Sequence, residues 1–268
     1  MKIAVVIQAR MASSRLPGKV LLDLAGAPLL QRMVERVRAA RTRFDTVVAT
    51  SADSSCDEIE ALCRRIDVQC FRGHPLDLLD RHLGAAKMLA ADAVAKVPSD
   101  CPLIDPVVID RVLRFFIENQ ASYDFVSNLH PPSYPDGNDV EVMPLPILER
   151  AWREAQRPME REHTTPYVWN QPGRFRLANV SWETGFDYSK SHRWTVDYIH
   201  DYRMVAAVYS RLWSEQRPVF SLEQILELLK QHPEIGRLNA RWVGSSWHQK
   251  HRNEIKNPAA FGRGATLE

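Results

Sequence analysis

The 268-residue sequence lacks the features that define several protein classes. It has four cysteines but no CxxC pair, so neither a thiolate zinc site nor a disulfide framework is expected. No apolar run approaches the roughly 18–20 residues of a membrane helix. Only five apolar residues, Ile3 to Ile7, follow Met1-Lys2, so no signal peptide is predicted. We therefore expect a cytoplasmic protein with reduced thiols and no membrane partner.

Neither sign of charge is in excess. Lysine and arginine total 35 and aspartate and glutamate total 33, which gives a net charge of +2. Nucleic-acid-binding domains usually have a large basic excess, so we expect no nucleic-acid partner, although local clusters of cations can still bind small polyanions. Hydrophobic residues make up 45% of the chain and charged residues 25%, a balance that is ordinary for a globular protein with a substantial core.

Two common phosphate-binding motifs, GxxxxGK[ST] and GxGxxG, are also absent. The chain opens instead with a short apolar strand over 3–7, followed by a polar loop that contains Arg10, Arg15, Pro17-Gly18 and Lys19. Arginine binds phosphate through paired N–H groups, lysine adds a point charge, and glycine lets backbone N–H groups approach closely. A basic surface loop is the alternative, but the position after a buried first strand favours phosphate binding.

Strands and helices alternate over the first 120 residues. Short apolar runs predict buried strands, and apolar residues at helical spacing predict amphipathic helices. This alternation is typical of βαβ units, so it predicts an α/β fold with a mainly parallel sheet. The predicted strands are 3–7, 46–50, 68–71 and 93–97, and the predicted helices are 27–40, 55–66, 76–91 and 106–119.

The loops after the first and fourth strands are the expected location of the chemistry, because ligands of parallel sheets bind beyond the carboxyl ends of the strands. Asp100 directly follows the fourth strand. A carboxylate there is well placed to bind Mg²⁺, which proteins hold through one or two carboxylates plus substrate phosphates. A turn or capping aspartate is the structural alternative for Asp100. Asp105, just before Pro106, fits the N-cap of the helix 106–119 better.

Beyond residue 120 the pattern is less regular. A strand is predicted over 123–127, and alternating polar and apolar residues over 139–143 predict a half-exposed strand. Charged side chains are dense over 159–167. The single histidine there, His163, has no HxxxH partner, which favours a substrate contact or a structural hydrogen bond over a metal site. Further helices are predicted over 146–156, 198–214 and 221–231.

A series of short motifs extends in order from residue 3 to about residue 200, about three quarters of the chain. The motifs are Ile7-Gln8-Ala9-Arg10-Met11, Ser14-Arg15-Leu16-Pro17-Gly18-Lys19-Val20-Leu21, Val47-Val48-Ala49-Thr50, Phe71-Arg72-Gly73, Asp77-Leu78-Leu79-Asp80-Arg81, Asp100-Cys101-Pro102-Leu103-Ile104-Asp105-Pro106, Tyr134-Pro135-Asp136-Gly137, Asp139-Val140-Glu141-Val142, Arg161-Glu162-His163 and Arg193-Trp194-Thr195-Val196-Asp197. Together they resemble the cytidylyltransferase family typified by spore coat polysaccharide biosynthesis protein F, whose relatives include acylneuraminate and 3-deoxy-manno-octulosonate cytidylyltransferases. The opening motif is the most specific of them.

The resemblance implies a GT-A-like fold, with helices on both faces of the sheet, and transfer of CMP from CTP with release of pyrophosphate. It implies that the backbone around Ala9 contacts the base, that the cations of the opening loop bind phosphates, and that Mg²⁺ lies between Asp100 and Asp197. The implied nucleotide-binding residues are Gln8, Ala9, Arg10, Ser14, Arg15, Lys19, Asp77 and Arg81. The implied catalytic residues are Arg15, Lys19, Asp100 and Asp197.

The acceptor, an acidic sugar or a sugar phosphate, is expected over the later strands. The candidate residues for binding it are Asp136, Asp139, Glu141, Arg161 and His163. Arg161 is the candidate cation for the carboxylate of an acidic sugar. A solvated or dimer-forming face is the alternative explanation for charged residues at this density. Relatives often dimerise through the segment after the central sheet, so we expect a homodimer formed through residues 140–195.

The chain is expected to divide into a nucleotidyltransferase domain over 1–214 and a helical C-terminal extension with a basic tail over 215–268. Two other functions remain open at this stage, because a fold alone does not fix a function. One is a GT-A glycosyltransferase that uses a nucleotide-sugar. The other is a non-catalytic nucleotide-binding protein of a polysaccharide assembly complex.

Overall fold

The computed structural model describes residues 1–245, 251 and 253–257, and it contains a central sheet of seven strands flanked by helices. The strands are β1 (Ile3–Gln8), β2 (Asp23–Leu24), β3 (Ala27–Pro28), β4 (Asp45–Ser51), β5 (Gln69–Gly73), β6 (Ala93–Pro98), β7 (Phe125–Ser127), β8 (Glu141–Pro144) and β9 (Leu177–Asn179). β2 and β3 form a separate two-stranded hairpin. The helices are α1 (Leu29–Arg38), α2 (Asp57–Arg65), α3 (Leu78–Met88), α4 (Pro106–Glu118), α5 (Leu145–Glu154), α6 (Pro158–His163), α7 (Pro166–Trp169), α8 (Ile199–Leu212), α9 (Leu222–Gln231) and α10 (Pro233–Arg237).

The strand order in the central sheet is β5-β4-β1-β6-β8-β7-β9. β1 lies between β4 and β6 and is parallel to both, with Val6 opposite Val47 on one side and Lys96 on the other. β8 is antiparallel to β6 and to β7, whereas β7 and β9 are parallel. The sheet is therefore mainly parallel, and its one reversed strand lies between strands that run in the common direction.

The side chains of β1 alternate between two hydrophobic cores, one on each face of the sheet. Ile3, Val5 and Ile7 pack with apolar side chains of α1, α2 and α4. Ala4 and Val6 pack with apolar side chains of α3, α5 and α7. Helices thus cover both faces of the sheet, as predicted. Because β1 is buried on both faces, its sequence is one continuous run of apolar residues.

A third core joins the C-terminal helices α8, α9 and α10 to the hairpin and to the loop after β6. Arg36 of α1 crosses this boundary with a fully buried side chain. Its guanidinium donates to the carbonyl oxygens of Ile104 (2.7 Å) and Phe220 (2.8 Å) and lies 4.5 Å from the centre of the Phe220 ring. One buried cation therefore ties α1 to the β6–α4 loop and to the C-terminal extension.

One strand differs from its prediction. The prediction that 139–143 forms a half-exposed strand is wrong, because β8 lies inside the sheet with Glu141, Val142 and Met143 buried. Glu141 fits there because it pairs with Lys96 on the neighbouring strand. The charged stretch 159–167 lies in two short helices, α6 and α7, and in the two residues between them.

None of the helices in the described ranges combines the length and the apolar character that crossing a lipid bilayer requires. The Asp105 prediction is confirmed, since its carboxylate accepts the amide of Val107 (2.7 Å) and caps α4. Part of the basic tail, residues 246–250, 252 and 258–268, lies outside the described residues.

We expect Arg36→Ala to lower the free energy of unfolding by about 3 kcal/mol, because it leaves buried carbonyl groups without donors and opens a cavity. Urea unfolding with fluorescence detection measures this loss. Arg38→Ala is the matched control, since Arg38 lies on the same helix and also donates to a carbonyl, that of Ile66 (3.1 Å), but is exposed. A loss above about 1 kcal/mol in the control, or below it in Arg36→Ala, would contradict this account.

Candidate active site

A cavity of about 270 Å³ lies at the carboxyl ends of β1 and β6. The loops that follow these strands line one side of it, and residues that precede β8 line the other, because the reversed β8 begins at that same edge of the sheet. All but two of the predicted site residues face this cavity. Those in the lining are Gln8, Ala9, Arg10, Ser14, Arg15, Lys19, Arg81, Asp100, Asp136, Asp139, Glu141, His163 and Asp197.

The opening loop forms a closed turn that directs Lys19 inwards. The amides of Ser13 and Gly18 both donate to the carbonyl oxygen of Met11, each at 2.9 Å. Gly18 has φ of 69°, a left-handed conformation that favours glycine, and a short 3₁₀ helix over 19–21 begins directly after it. The Lys19 side chain is consequently buried at the cavity, even though it follows a polar loop.

Lys19 bridges the two aspartates that were assigned to metal binding. Its Nζ lies 2.9 Å from Asp100 Oδ2 and 3.3 Å from Asp197 Oδ1, and it also donates to the carbonyl oxygen of Val196 (2.6 Å). Arg15 Nη2 donates to the same Asp197 Oδ1 at 2.5 Å. Two cations of the opening loop and two carboxylates from distant parts of the chain therefore form one ionic cluster.

The charges of this cluster stabilise one another. Burial alone would lower the pKa of Lys19, but the charges of Asp100 and Asp197 outweigh it and raise that pKa. Burial alone would raise the pKa of Asp100, but the charge and hydrogen bond of Lys19 outweigh it and lower that pKa. Lys19 and Asp100 are therefore both charged at neutral pH.

Asp136 and Asp139 add two carboxyl groups whose pKa values are raised, although Arg193 Nη1 lies 3.2 Å from Asp136 Oδ2. Burial raises the pKa of Asp139 to about 7, and the charges of Asp100 and Glu141 add to this effect. Burial and the charge of Asp139 raise the pKa of Asp136 well above its usual value. Burial is the main cause of both raised pKa values, and a cationic ligand beside the two carboxyl groups would lower them.

The donor set at Asp100 and Asp197 fits a hard divalent cation. The part of the chain that the structure describes contains no preformed group of three or more histidine, cysteine, aspartate or glutamate ligands. Mg²⁺ does not need such a cage, since it is often held by one or two carboxylates together with substrate phosphates and water. Two adjacent carboxylates, already gathered around one ammonium group, have the chemistry that this ion prefers.

The side of the cavity formed by β1 and α3 presents polar atoms that have no hydrogen-bond partner within the described residues. Gln8 Oε1 and Arg81 Nε are buried and form no hydrogen bond within the described residues. Burial, with a smaller effect of the nearby Arg10 charge, lowers the pKa of Arg81 to about 10. Buried polar groups are normally satisfied, so a ligand in the cavity is a reasonable partner for both.

Among the lining residues that were not predicted as site residues are Lys96, His130 and Arg193. Lys96 Nζ donates to Glu141 Oε2 (2.7 Å), and His130 Nε2 lies 3.4 Å from Glu141 Oε1. Burial alone would raise the pKa of Glu141, but Lys96 and His130 outweigh it and lower that pKa. A lysine inside an otherwise apolar strand was the available signal for Lys96, because an unpaired charge is seldom buried.

Two predicted residues, Asp77 and Arg161, do not line the cavity. Asp77 caps α3 by accepting the amide of Asp80 (2.9 Å). Arg161 donates from Nε to Asp77 Oδ2 (2.7 Å) and from Nη1 to the carbonyl oxygen of Trp152 (2.6 Å). These contacts join α3 to α6 and give both side chains a structural role, so Arg161 is not available as the cation for a sugar carboxylate.

Comparison with known proteins assigns the chain to a family. The family model described as cytidylyltransferase matches residues 4–244. The chain belongs to the cytidylyltransferase family. This confirms the resemblance seen in the sequence motifs, and it makes the protein a nucleotidyltransferase enzyme.

Individual relatives agree with this assignment. The cytidylyltransferase is 30% identical over 234 residues to spore coat polysaccharide biosynthesis protein SpsF of Bacillus subtilis, a match that covers 85% of this chain and 94% of that one. The solved structure of a cytidylyltransferase from Leptospira borgpetersenii is 32% identical, with a TM-score of 0.83, and the match covers 92% of this chain and 98% of that one.

A more distant solved structure shares the fold. It is a CMP:2-keto-3-deoxy-manno-octonic acid synthetase complexed with CTP, which is 19% identical to this cytidylyltransferase with a TM-score of 0.58. The match covers 79% of this chain and 99% of that one. At this identity the likeness shows the fold alone, and the predicted fold class, a mostly parallel sheet with helices on both faces, is confirmed.

We expect Asp139→Asn to raise the melting temperature of the ligand-free protein at pH 8 by at least about 3 °C and to change it little at pH 4. The pKa of Asp139 is raised to about 7 in the folded protein, whereas an aspartate of the unfolded chain titrates at about pH 4. Ionisation of Asp139 therefore lowers the stability of the fold as pH rises from about 4 to 7, and the full loss of stability is reached above pH 7. Asparagine stays neutral at every pH, so the variant does not suffer this loss of stability.

Differential scanning fluorimetry in EDTA across this pH range measures the effect. Asp23→Asn is the control, because Asp23 also accepts a glycine amide, that of Gly26 (3.4 Å), but is exposed. An equal gain in melting temperature in both variants at pH 8 would contradict a raised pKa of Asp139. So would a gain for Asp139→Asn that does not change with pH.

Proposed function

We propose that this cytidylyltransferase transfers CMP from CTP to an oxygen atom of a sugar acceptor and releases pyrophosphate, in polysaccharide or glycoconjugate biosynthesis. Family membership supports CTP as the nucleotide. The name of the Bacillus subtilis relative supports a role in polysaccharide synthesis. The distant synthetase, whose structure holds CTP, supports an acidic sugar as one possible class of acceptor.

The ionic cluster of Lys19, Arg15, Asp100 and Asp197 is the observation that carries the proposal. A triphosphate has a higher charge density than either carboxylate, so it competes for Lys19 and Arg15 when it enters the cavity. The two carboxylates are then left to hold a divalent cation. The same four side chains thus change partners as a set, and no new residue has to be brought in.

The transfer itself needs an acceptor oxygen that attacks the α-phosphorus of CTP, while the bond from that phosphorus to the bridging oxygen of the pyrophosphate breaks. Lys19 and Arg15 stabilise the negative charge that grows on the leaving pyrophosphate. A Mg²⁺ ion held by Asp100 and Asp197 supplies, when bound, charge neutralisation at the α-phosphate. Positioning and electrostatics provide most of the rate in such transfers.

A proton must leave the acceptor if the attacking oxygen is a hydroxyl. Asp139 is our candidate for accepting it, because Asp139 lines the cavity and burial raises its pKa to about 7, where a carboxylate is a stronger base than usual. The neighbouring Asp136, which accepts from Arg193 Nη1 (3.2 Å), lines the same cavity and is assigned to a hydrogen bond with the acceptor.

The nucleoside is assigned to the side of the cavity formed by the opening loop and α3. Gln8 and Arg81 supply buried polar atoms there that have no partner within the described residues. The amide of Ala9 donates to the carbonyl oxygen of Ala49 (3.0 Å), and Ala9 lines the cavity, so its backbone is assigned to the base. Arg10 and Ser14 line the same side and are assigned to the phosphates and sugar of CTP.

The acceptor is assigned to the side formed by Asp136, Asp139, Glu141 and His163. The cations nearby are already paired: Lys96 with Glu141, and Arg193 with Asp136 and Asp197. A carboxylate sugar would therefore have to displace an existing ion pair, whereas sugar hydroxyl groups can donate to the carboxylates directly. A panel of acceptors has to include neutral sugars as well as acidic sugars and sugar phosphates.

We also propose that the enzyme is a cytoplasmic homodimer that associates through residues 140–195. Two large apolar side chains in this segment are exposed, Trp152 (39%) and Phe186 (59%). Exposed aromatic side chains of this size are typical of protein interfaces. Multi-angle light scattering of the purified protein tests the oligomeric state.

The reaction is tested by measuring pyrophosphate release with Mg²⁺, each of the four nucleoside triphosphates in turn, and a panel of acidic sugars, neutral sugars and sugar phosphates. Release that depends on both CTP and one acceptor supports the proposal. CTP binding without release in any combination, or sugar transfer from a nucleotide-sugar without pyrophosphate, would overturn it in favour of a binding protein or a glycosyltransferase.

We expect Asp100→Asn to keep the fold and to reduce turnover at least about 100-fold, because it removes one of the two carboxylates that we assign to the divalent cation. Asp105→Asn is the control in the same loop, where the carboxylate caps α4 and accepts the amide of Leu222 (2.5 Å). This control should lose stability but keep turnover. Near-normal turnover in Asp100→Asn would contradict the proposal that Asp100 binds the divalent cation.

A further inference from the structure

Asp201, in the first turn of α8, accepts far more hydrogen bonds than a helix cap requires. Its side chain is fully buried and close to the cavity, but it does not line the cavity. A residue at this position in a capping box needs only to accept the amide of the N-cap residue, Tyr198 (2.9 Å). Its other donors are Asp197 N (3.0 Å), Arg193 Nε (3.0 Å), Arg193 Nη2 (3.3 Å) and Asn239 Nδ2 (2.9 Å).

Arg193 connects Asp201 to the ionic cluster. Its Nη2 donates to Asp197 Oδ2 (2.9 Å), and its Nη1 donates to Asp136 Oδ2 (3.2 Å) and to the carbonyl oxygen of Ser245 (2.8 Å). Every nitrogen of this buried guanidinium therefore has an acceptor. The planar group cannot rotate without breaking several charge-assisted bonds, so its position is fixed.

The two oxygens of Asp197 consequently have partners of different kinds. Oδ1 accepts from Arg15 and Lys19, which belong to the opening loop and have the nucleotide phosphates as alternative partners. Oδ2 accepts from Arg193, which Asp201 holds in place, and the amide of Asp197 is held by Asp201 directly. When the loop cations leave, Oδ1 becomes free while the rest of the carboxylate stays where it is.

We propose that Asp201 is a positioning residue that presents Oδ1 of Asp197 to the divalent cation of the nucleotide complex, acting through Arg193 and the backbone amide of Asp197. The C-terminal extension completes this arrangement, since Asn239 donates to Asp201 and Ser245 accepts from Arg193. The inference rests on the proposed function, because Asp197 has this role only if the enzyme binds a metal with CTP.

The experiment uses the full-length protein and Mn²⁺ as the probe, since Mn²⁺ prefers the same oxygen ligands as Mg²⁺. Isothermal titration calorimetry measures Mn²⁺ binding in the presence of saturating CTP, and CTP binding in EDTA. We expect Asp201→Asn to weaken Mn²⁺ binding about 10-fold or more, as loss of a residue that orients a metal ligand does. Metal-free CTP affinity should change less than about twofold, because it depends on the loop cations and the base contacts.

The matched control is Asp110→Asn, the same change at another buried aspartate. Asp110 accepts two backbone amides, those of Arg41 (2.9 Å) and Thr42 (2.6 Å), and has no contact with the ionic cluster. It should lower the melting temperature without changing Mn²⁺ affinity. If Asp201 were only a helix cap, Asp201→Asn would behave in the same way as this control, and the inference would be overturned.

Two further outcomes are decisive. If Asp201→Asn does not fold, Asn239→Ala removes one donor to Asp201 and leaves the cap intact. A weaker Mn²⁺ affinity in that variant supports the inference, and an unchanged affinity overturns it. If the wild-type protein binds CTP but no Mn²⁺, the proposed metal site is wrong, and the proposed role of Asp201 is wrong as well. If the wild-type protein binds Mn²⁺ and Asp201→Asn binds it with the same affinity, only the role of Asp201 is overturned.

Discussion

The contact of Lys19 with Asp100 and Asp197 is the interaction on which the site depends. Its three members come from the loop after β1, the loop after β6 and the segment before α8, so they are brought together only by the complete fold. Without the ammonium group, two carboxylates would face each other in a largely buried place, where like charges repel strongly. Lys19 thus allows the protein to fold with Asp100 and Asp197 already gathered around one cation.

The sheet explains why this contact is possible. β1 lies between β4 and β6, and residues on alternate positions of β1 fill two separate cores. A strand held on both faces and on both edges ends at a fixed point. The turn that follows, closed on Met11 and bent at Gly18, then places Lys19 with little freedom, whereas the arginines around it keep more exposure.

Much of the fold, and the position of the opening loop at the cavity, could be predicted from the sequence, because these depend on local patterns. Apolar runs identified the parallel strands, and the motif from residue 7 to residue 21 identified the cations of the opening loop. Asp77 and Arg161 could not be recognised as partners of each other, since only the packing of α3 against α6 brings them together. The burial of β8 was also hidden, because the lysine that neutralises Glu141 is on a strand 45 residues earlier in the chain.

The reversed direction of β8 has a consequence for how enzymes of this kind diversify. Asp136 and Asp139 reach the cavity from a connection that enters β8, whereas Asp100 and the opening loop reach it from connections that leave β6 and β1. Separate stretches of chain therefore build the two halves of the cavity, and they are joined where Arg193 donates to Asp136 (3.2 Å) and where the amide of Asp105 donates to Asn138 (3.0 Å). A change in the connection before β8 would therefore also reach Arg193 and the loop after β6, so the two halves of the cavity are constrained to diversify together.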